Sequence, residues 1–140
     1  MFIVNVEGAI YKEGKWLLVK RSEKEEHAAG SLAFVGGTVD QEGDAIDIFE
    51  RTLHREIKEE IGIEVTNLQY VNSSSFISDT GKSVVDIVFV CDHSFGEPYV
   101  KCREEVDEIV WLTTEQILSS DEFPDYFKRN ITLADQFKNT

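Results

Sequence analysis

Three glutamates crowd the last two turns of a segment with helical periodicity. Glu56, Glu59 and Glu60 precede Gly62, and at about 100° per residue they share an arc of roughly 100° on a helical wheel. Like charges three and four residues apart destabilise a helix by a few tenths of a kcal/mol per pair. Glu59 and Glu60 also meet the negative end of the helix dipole, which disfavours an acid by about 0.3–1 kcal/mol. Two local rules broken at one place indicate function.

A hard divalent cation would relieve both conflicts at this helix end. Ligand sets made only of oxygen suit Mg²⁺ or Mn²⁺, so the acids predict a site for one of these ions. The alternative is a solvated acidic face, which is what runs of charge usually form. The neighbouring sequence must decide between the two.

The segment that carries these acids predicts one long central helix over residues 44–61. Its apolar stripe recurs every four residues and consists of Phe49, Leu53, Ile57 and Ile61. Asp44 is the expected N-cap, and Gly62 stands where a C-terminal glycine belongs. The helix therefore presents its acids beside a buried stripe.

The rest of the pattern predicts mostly strands around this helix. Expected strands cover residues 3–11, 16–20, 32–35, 65–77, 84–91 and 106–112, with the third ending at Gly36-Gly37. A capping box at Thr113 and Gln116 opens a short helix over 115–118, and a last helix runs from about Pro124 to Phe137. This order favours an α/β (α+β) class with a mixed sheet covered on both faces.

Composition limits the possible partners. The chain has 140 residues, one domain's length, with 14 basic and 27 acidic side chains and a net charge of −13. Such a balance argues against binding to a nucleic-acid backbone and against a polybasic membrane-surface protein. The longest apolar stretch, 84–91, is broken by Asp86 and falls short of the ~20 residues of a membrane span. Without a signal-peptide pattern, and with only Cys91 and Cys102 as thiols, the chain is expected to be cytoplasmic and reduced.

The residues around the acids carry a resemblance to a known family. The string 55–63, R-E-I-K-E-E-I-G-I, matches the core of the Nudix box, R-E-U-x-E-E-x-G-U with U apolar. The chain resembles a Nudix hydrolase over nearly its whole length, as a single domain of residues 1–140. The resemblance implies a Nudix-type α/β/α sandwich with a central mixed β-sheet. It also implies metal-dependent hydrolysis of a diphosphate linkage in a nucleoside diphosphate linked to another moiety X.

The same resemblance implies roles for the box residues. Glu59 and Glu60 are the leading metal ligands, and Glu56 is a further ligand or the base that orients water. Gly36 or Gly37, with Gly37 preferred, offers a backbone carbonyl to the metal. Arg55 pairs with a nearby carboxylate and holds it in place. The implied cofactor is Mg²⁺ (or Mn²⁺), and the implied partner is a small nucleotide-type substrate; a homodimer is left open.

Further site residues are expected outside the box. Among the acids before Trp111, Glu105 is the choice for a fourth metal ligand, and the alternative is that all of them are exposed charges at a strand edge. Lys20 and Arg21 are expected to contact phosphate, unless they only offset the acidic neighbourhood. Aromatic side chains could stack on a base, although at helical spacing they more often form core. The candidates are Phe76, Phe123, Tyr126 and Phe127.

The sequence departs from the family pattern in two ways. The stretch from Gly37 to Arg55 is four residues longer than the box, so its first glutamate has several possible counterparts, among which Asp44 or Asp47 best fits the helix entry. The full set of candidates is Asp40, Glu42, Asp44 and Asp47. Val35 replaces a common proline, and Glu26 stands where the extended motif of coenzyme A pyrophosphatases has an arginine, which argues against that substrate. The insertion also supports an alternative function, a catalytically weak Nudix-fold nucleotide-binding or sensor module, against which the three box acids argue.

Overall fold

Strands lie before and after one long helix, and two helices follow the last strand, as the sequence predicts. The computed structural model describes residues 1–24 and 30–139, so Glu26 lies outside the described residues. Its strands are β1 (Ile3–Lys12), β2 (Lys15–Arg21), β3 (Leu32–Ala33), β4 (Val35–Thr38), β5 (Glu64–Ile77), β6 (Ser83–Phe95) and β7 (Val106–Leu112). Its helices are α1 (Ile48–Ile61), α2 (Thr114–Leu118) and α3 (Asp125–Lys138). None of these described helices has the length and apolar character needed to cross a membrane.

The described strands form one mixed sheet, as the sequence predicts. Its order is β3-β2-β1-β6-β5, with β4 added to β1 and β7 added to β2. β1 and β6 run parallel, and the other pairs are antiparallel. β1 is therefore the centre of the sheet, and it contacts β4, the strand that carries Gly36 and Gly37.

Alternation along β1 divides the core into two layers. Val6 and Ile10 pack with Leu53 and Ile57 on the α1 side of the sheet, while Ala9 packs with residues of α3 on the other side. The stripe predicted for α1 is confirmed, since Leu53, Ile57 and Ile61 are fully buried. Helices cover both faces, which gives the α/β/α sandwich.

The predicted start of the central helix is wrong. α1 begins at Ile48, and Asp47 rather than Asp44 is its N-cap, in a left-handed conformation (φ 53°) with no side-chain cap bond. Gly43, just before the expected helix, is also left-handed, with φ 67°, and residues 44–47 of the expected helix are not helical. Aspartate and glycine tolerate this conformation better than other residues. The helix end is as predicted, with Gly62 at φ 71° and its N–H donating to the Lys58 carbonyl.

The predicted end of the third strand is also wrong. β3 ends at Ala33, and a separate strand, β4, begins at Val35 and includes both glycines, with Val6 opposite Gly37 and Glu7 opposite Gly36. A Cβ at Gly36 would lie 2.0 Å from the Val6 carbonyl oxygen. The glycine pair therefore permits a close backbone approach inside the sheet rather than ending a strand.

The C-terminal elements largely follow the sequence prediction. The capping box is confirmed, with Gln116 N–H donating to the Thr113 hydroxyl and Thr113 N–H donating to the Gln116 side chain. Pro124 is the N-cap of α3, one position before its first turn. β7 has the predicted bounds, 106–112.

Candidate active site and metal centre

Three carboxylates from two separate parts of the chain meet beside α1. Glu56 and Glu60 lie one turn apart on the helix, and Glu105 lies in the turn just before β7. One carboxylate oxygen from each residue lies within 4.8 Å of the other two. We call these three side chains the carboxylate triad. Their oxygens match the ligand chemistry of Mg²⁺ and Mn²⁺.

The triad extends from the protein interior to its surface. Glu60 is only 5% exposed, the Glu56 side chain is 16% exposed, and Glu105 is exposed. Burial raises the pKa of Glu56 above its ordinary value, Arg55 opposes that rise, and the charges of Glu105 and Glu59 add to it. Crowded, partly desolvated carboxylates of this kind are stabilised by a cation among them.

Gly37 leaves room for one member of the triad. A Cβ at this position would lie 2.4 Å from Cδ of Glu56 and 2.7 Å from its Cγ. Any larger residue would therefore push the Glu56 carboxylate from its present place. The missing side chain of this glycine therefore shapes the space beside Glu56, and the expected contact between its carbonyl and a metal ion stays a prediction.

The inserted loop pairs its acids with arginines of α1. Arg55 Nη2 lies 3.3 Å from Glu56 Oε1 and 3.6 Å from Asp40 Oδ2. One turn earlier, Arg51 bonds to Glu42 at 2.7 Å. Two of the four candidates for the first box acid thus pair with helix arginines. Arg55 contacts Glu56, and its role in holding that carboxylate in place stays a prediction.

Glu59 lies outside the triad. Its residue is exposed, yet its charge is near enough to raise the pKa of Glu56. The next acids after Glu105 in the chain, Asp107 and Glu108, are exposed members of β7. The structure thus brings together Glu56, Glu60 and Glu105 and leaves Glu59 at the rim.

A second group of titratable side chains was missed from the sequence. Glu7 of β1 and Asp86 of β6 share a side-chain hydrogen bond, and burial raises the pKa of both, that of Glu7 well above its ordinary value. Arg21 opposes the rise at Glu7, and both acids add to the raised pKa of Tyr126, whose main cause is burial. The available signal was Asp86, the one acid that interrupts the apolar stretch 84–91.

The residues predicted to contact phosphate or to stack on a base lie in different parts of the fold. Lys20, expected as a phosphate contact beside Arg21, pairs in the sheet with Leu32 and Glu108. Phe123 and Phe127 are buried and stack at 4.9 Å between ring centroids, so they form core. Tyr126 is 64% exposed, so it is the accessible one of these three aromatic candidates.

Comparison with known protein families identifies the family of this chain. The sequence profile of the NUDIX domain matches residues 1–132. The chain belongs to the Nudix family. As a Nudix hydrolase, it is an enzyme that acts on phosphate anhydrides. A comparison with curated protein sequences finds no match.

Solved Nudix structures share the whole fold. The MutT NUDIX hydrolase from Burkholderia pseudomallei is 25% identical, with a TM-score of 0.76, and the match covers 95% of this chain and 98% of that one. The MutT protein from Methanosarcina mazei Go1 is 26% identical, with a TM-score of 0.78 and coverage of 99% and 96%. The NUDIX domain of Shewanella oneidensis NrtR, solved in complex with ADP ribose, shares the fold at 16% identity, a TM-score of 0.76 and coverage of 99% and 90%.

Proposed function

We propose that this Nudix hydrolase cleaves a diphosphate linkage in a nucleoside diphosphate linked to another moiety X, using Mg²⁺ or Mn²⁺ held by the carboxylate triad. The observation that carries the proposal is that carboxylate oxygens of Glu56, Glu60 and Glu105 lie within 4.8 Å of one another beside the C-terminal half of α1. The triad offers only oxygen ligands, and Gly37 keeps the space beside Glu56 open, so the residues fit a hard divalent ion.

An anionic substrate can bind beside the acidic residues of the site when such an ion lies between them. With a net charge of −13, the carboxylates repel a diphosphate unless positive charge lies between them. A bound divalent cation supplies that charge, polarises the phosphorus centre and lowers the pKa of water. Glu56, Glu60 and Glu105 would hold the ion, and Glu59 would be a further ligand on the exposed side.

Glu56 is the strongest candidate for the base that orients or deprotonates water. One of its carboxylate oxygens lies within 4.8 Å of Glu60 and Glu105, and its side chain is still 16% exposed, so it can reach a water molecule beside the proposed ion. Arg55 holds its Oε1 at 3.3 Å, so the other oxygen is left to face water or metal. The proposal therefore assigns catalysis to Glu56, with Arg55 positioning its carboxylate and Glu59 acting as a metal ligand at the exposed rim.

The rest of the substrate is proposed to lie on the side of Lys20 and Arg21. These side chains end β2, and the residue after them, Ser22, donates its N–H to the Glu105 carbonyl at 3.0 Å. These two cations are the proposed contacts for the substrate's phosphates, and Arg21 also lies near enough to Glu7 to oppose the rise in its pKa. The proposed location is the cytoplasm. The free thiols of Cys91 and Cys102 fit its reducing conditions, and nucleotide substrates are found there. Light scattering will distinguish a monomer from a homodimer.

A substrate panel tests the proposal. Purified protein is incubated with nucleoside triphosphates, dinucleoside polyphosphates, nucleotide sugars, ADP-ribose, NADH and coenzyme A, each with Mg²⁺, with Mn²⁺ or with excess chelator. We expect cleavage of at least one diphosphate linkage that requires the metal. Tight binding of a nucleotide with no turnover would instead support the sensor alternative, and full activity in chelator would contradict the metal centre.

A further inference from the structure

The end of α1 is closed by a segment from a distant part of the chain. The last four carbonyl groups of a helix have no partner within the helix. Ile61 O accepts the N–H of Tyr99 at 3.1 Å, and Glu60 O accepts those of Lys101 at 3.0 Å and Cys102 at 3.4 Å. The backbone of a triad residue, Glu60, is therefore held from outside its own helix. We call residues 99–106 the clamp.

The same segment holds the third carboxylate. The carbonyl of Cys102 accepts the N–H of Glu105 at 3.2 Å and that of Val106 at 3.0 Å. Cys102 is thus bonded through its N–H to Glu60 and through its C=O to Glu105. One residue joins, by backbone hydrogen bonds alone, two members of the triad that are 45 positions apart in the sequence.

Both ends of the clamp are fixed to the fold. At its start, the Tyr99 ring lies over Gly62, where a Cβ would come within 2.4 Å of the ring's Cε1. At its finish, Val106 is fully buried, and the carbonyl of Glu105 accepts the N–H of Ser22 at 3.0 Å. The backbone of the exposed Glu105 is therefore held at both its N–H and its C=O.

This geometry matters because like charges separate when they are free to move. Without a cation, the carboxylates of Glu105, Glu56 and Glu60 repel one another, and a loose turn would carry Glu105 away into water. Binding of a metal ion would then have to bring Glu105 back beside Glu56 and Glu60, and this cost would lower the affinity of the site for the ion. A fixed turn avoids that loss.

We infer that the clamp is a positioning element that fixes Glu105 against Glu60 before a metal ion binds, with Cys102 as its central residue. The inference rests on the proposed metal centre. It assigns metal affinity to backbone bonds made by residues 99–106, none of which except Glu105 offers a ligand to the triad.

Two variants loosen the clamp and leave every triad carboxylate in place. The first inserts two glycines between Arg103 and Glu104, in the exposed turn that Cys102 closes. The second, R103G/E104G, keeps the chain length and the net charge; it removes two exposed side chains and adds backbone freedom. The matched control inserts two glycines between Thr80 and Gly81, in the exposed turn that joins β5 to β6.

The measured quantities are the affinity for Mn²⁺ alone, by electron paramagnetic resonance of the free ion, and the Tm in chelator. We expect the clamp insertion to weaken Mn²⁺ binding about 10- to 100-fold, the range for lost supporting contacts around a metal. We expect R103G/E104G to weaken it severalfold and the control to stay within about twofold of the parent, with similar Tm values in chelator.

The results separate failure of the clamp from failure of the metal centre. If the parent binds Mn²⁺ and both clamp variants bind it within twofold, the clamp has no positioning role, and a lower Tm with unchanged affinity would make it a structural connection only. If the insertion prevents folding, R103G/E104G decides by the same criterion. If the parent binds no Mn²⁺ while the clamp variants unfold no earlier than the control, both the metal centre and the clamp are wrong.

Discussion

Adjacent glutamates of α1 occupy different environments. Glu60 lies in the triad and is 5% exposed, whereas Glu59, one position earlier, is exposed. A rotation of about 100° between neighbouring helix positions accounts for the difference. The two residues therefore allow the effect of losing a buried ligand to be compared with the effect of losing charge at the rim.

Replacing Glu60 by glutamine is expected to lower turnover at least about a hundredfold, the scale for loss of an electrostatic contact made at the reacting centre. The variant keeps the side chain's shape and removes only its charge. Glu50→Gln, in the first turn of the same helix, is the matched control and should stay within a few-fold of the parent. Steady-state rates with saturating Mg²⁺ measure both, and a Glu60→Gln enzyme as active as the control would remove Glu60 from the metal centre.

Replacing Glu59 by glutamine should leave the metal-free protein as stable as the parent or slightly more stable. The change relieves like-charge repulsion with Glu56 and removes an acid from the negative end of the helix. With millimolar Mg²⁺ the order should reverse, since an ion bound only to the folded state adds stability as RT ln(1 + [L]/Kd). Thermal melts with chelator and with Mg²⁺ measure this. Destabilisation by more than about 1 kcal/mol in chelator, with an unchanged response to Mg²⁺, would mean that Glu59 serves the fold.

At the scale of elements, β4 supports the site through two glycines with different neighbours. A Cβ at Gly36 would meet the backbone oxygen of Val6 at 2.0 Å, whereas one at Gly37 would meet the side chain of Glu56 at 2.4 Å. Backbone at the centre of a sheet cannot move aside, but a glutamate side chain can. One glycine is therefore required by the fold and the other by the site.

Alanine substitution should separate these two requirements. We expect Gly36→Ala to destabilise the protein by about 3 kcal/mol or more, the upper range for overpacking. Gly37→Ala should fold with a smaller loss, of about 1 kcal/mol, but should lose at least tenfold in turnover as Glu56 is displaced. Urea unfolding measures the loss of stability of each variant, and steady-state rates measure its loss of turnover. Equal loss of stability in both, or full activity in Gly37→Ala, would contradict the assignment.

The local part of the fold could be predicted from the sequence, because it depends on residues close together in the chain. The stripe of Leu53 and Ile57, the left-handed Gly62 and the bounds of β7 all follow from periodicity and capping preference. The start of α1 could not, since the inserted loop takes left-handed turns at Gly43 and Asp47 in place of another turn of helix. Pattern alone did not distinguish these outcomes.

The candidate site could be predicted in part for the same reason. Glu56 and Glu60 follow from one turn of helix, but the approach of Glu105 depends on the clamp, whose hydrogen bonds link residues about 40 positions apart. The bond between Glu7 and Asp86 likewise requires that β1 and β6 lie parallel and adjacent, which no local pattern specifies. Long-range pairing is what the sequence left undetermined.

The whole molecule carries a second acidic centre that should affect its stability. Glu7 binds a proton more tightly in the folded protein than in the unfolded chain, because burial and Asp86 raise its pKa well above the ordinary value. The folded protein is therefore stabilised by protonation, and its stability falls as pH rises from the ordinary glutamate pKa through the raised one. Above the raised pKa of Glu7, the folded protein carries the full cost of holding this buried carboxylate ionised beside Asp86.

Glu7→Gln should remove part of this penalty, because an amide can donate to the Asp86 carboxylate without bringing a second charge. In chelator, the variant should melt several degrees above the parent at pH 8, and the difference should shrink as the pH falls toward 4.5. Glu122→Gln, an exposed residue in the loop before α3, is the control. A Glu7→Gln protein that is less stable than the parent at pH 8 would show that the ionised pair is favourable and contradict the raised pKa.

The most direct test of the central claim compares metal binding with catalysis in one titration. Mn²⁺ binding by the parent and hydrolysis of its best substrate are followed over the same range of Mn²⁺, and both are repeated with Glu56→Gln, Glu60→Gln and Glu105→Gln. We predict that hydrolysis rises with occupancy of a site that each substitution weakens by about tenfold or more. Full turnover in excess chelator, or Mn²⁺ binding unchanged in all three variants, would contradict a catalytic metal centre on the carboxylate triad.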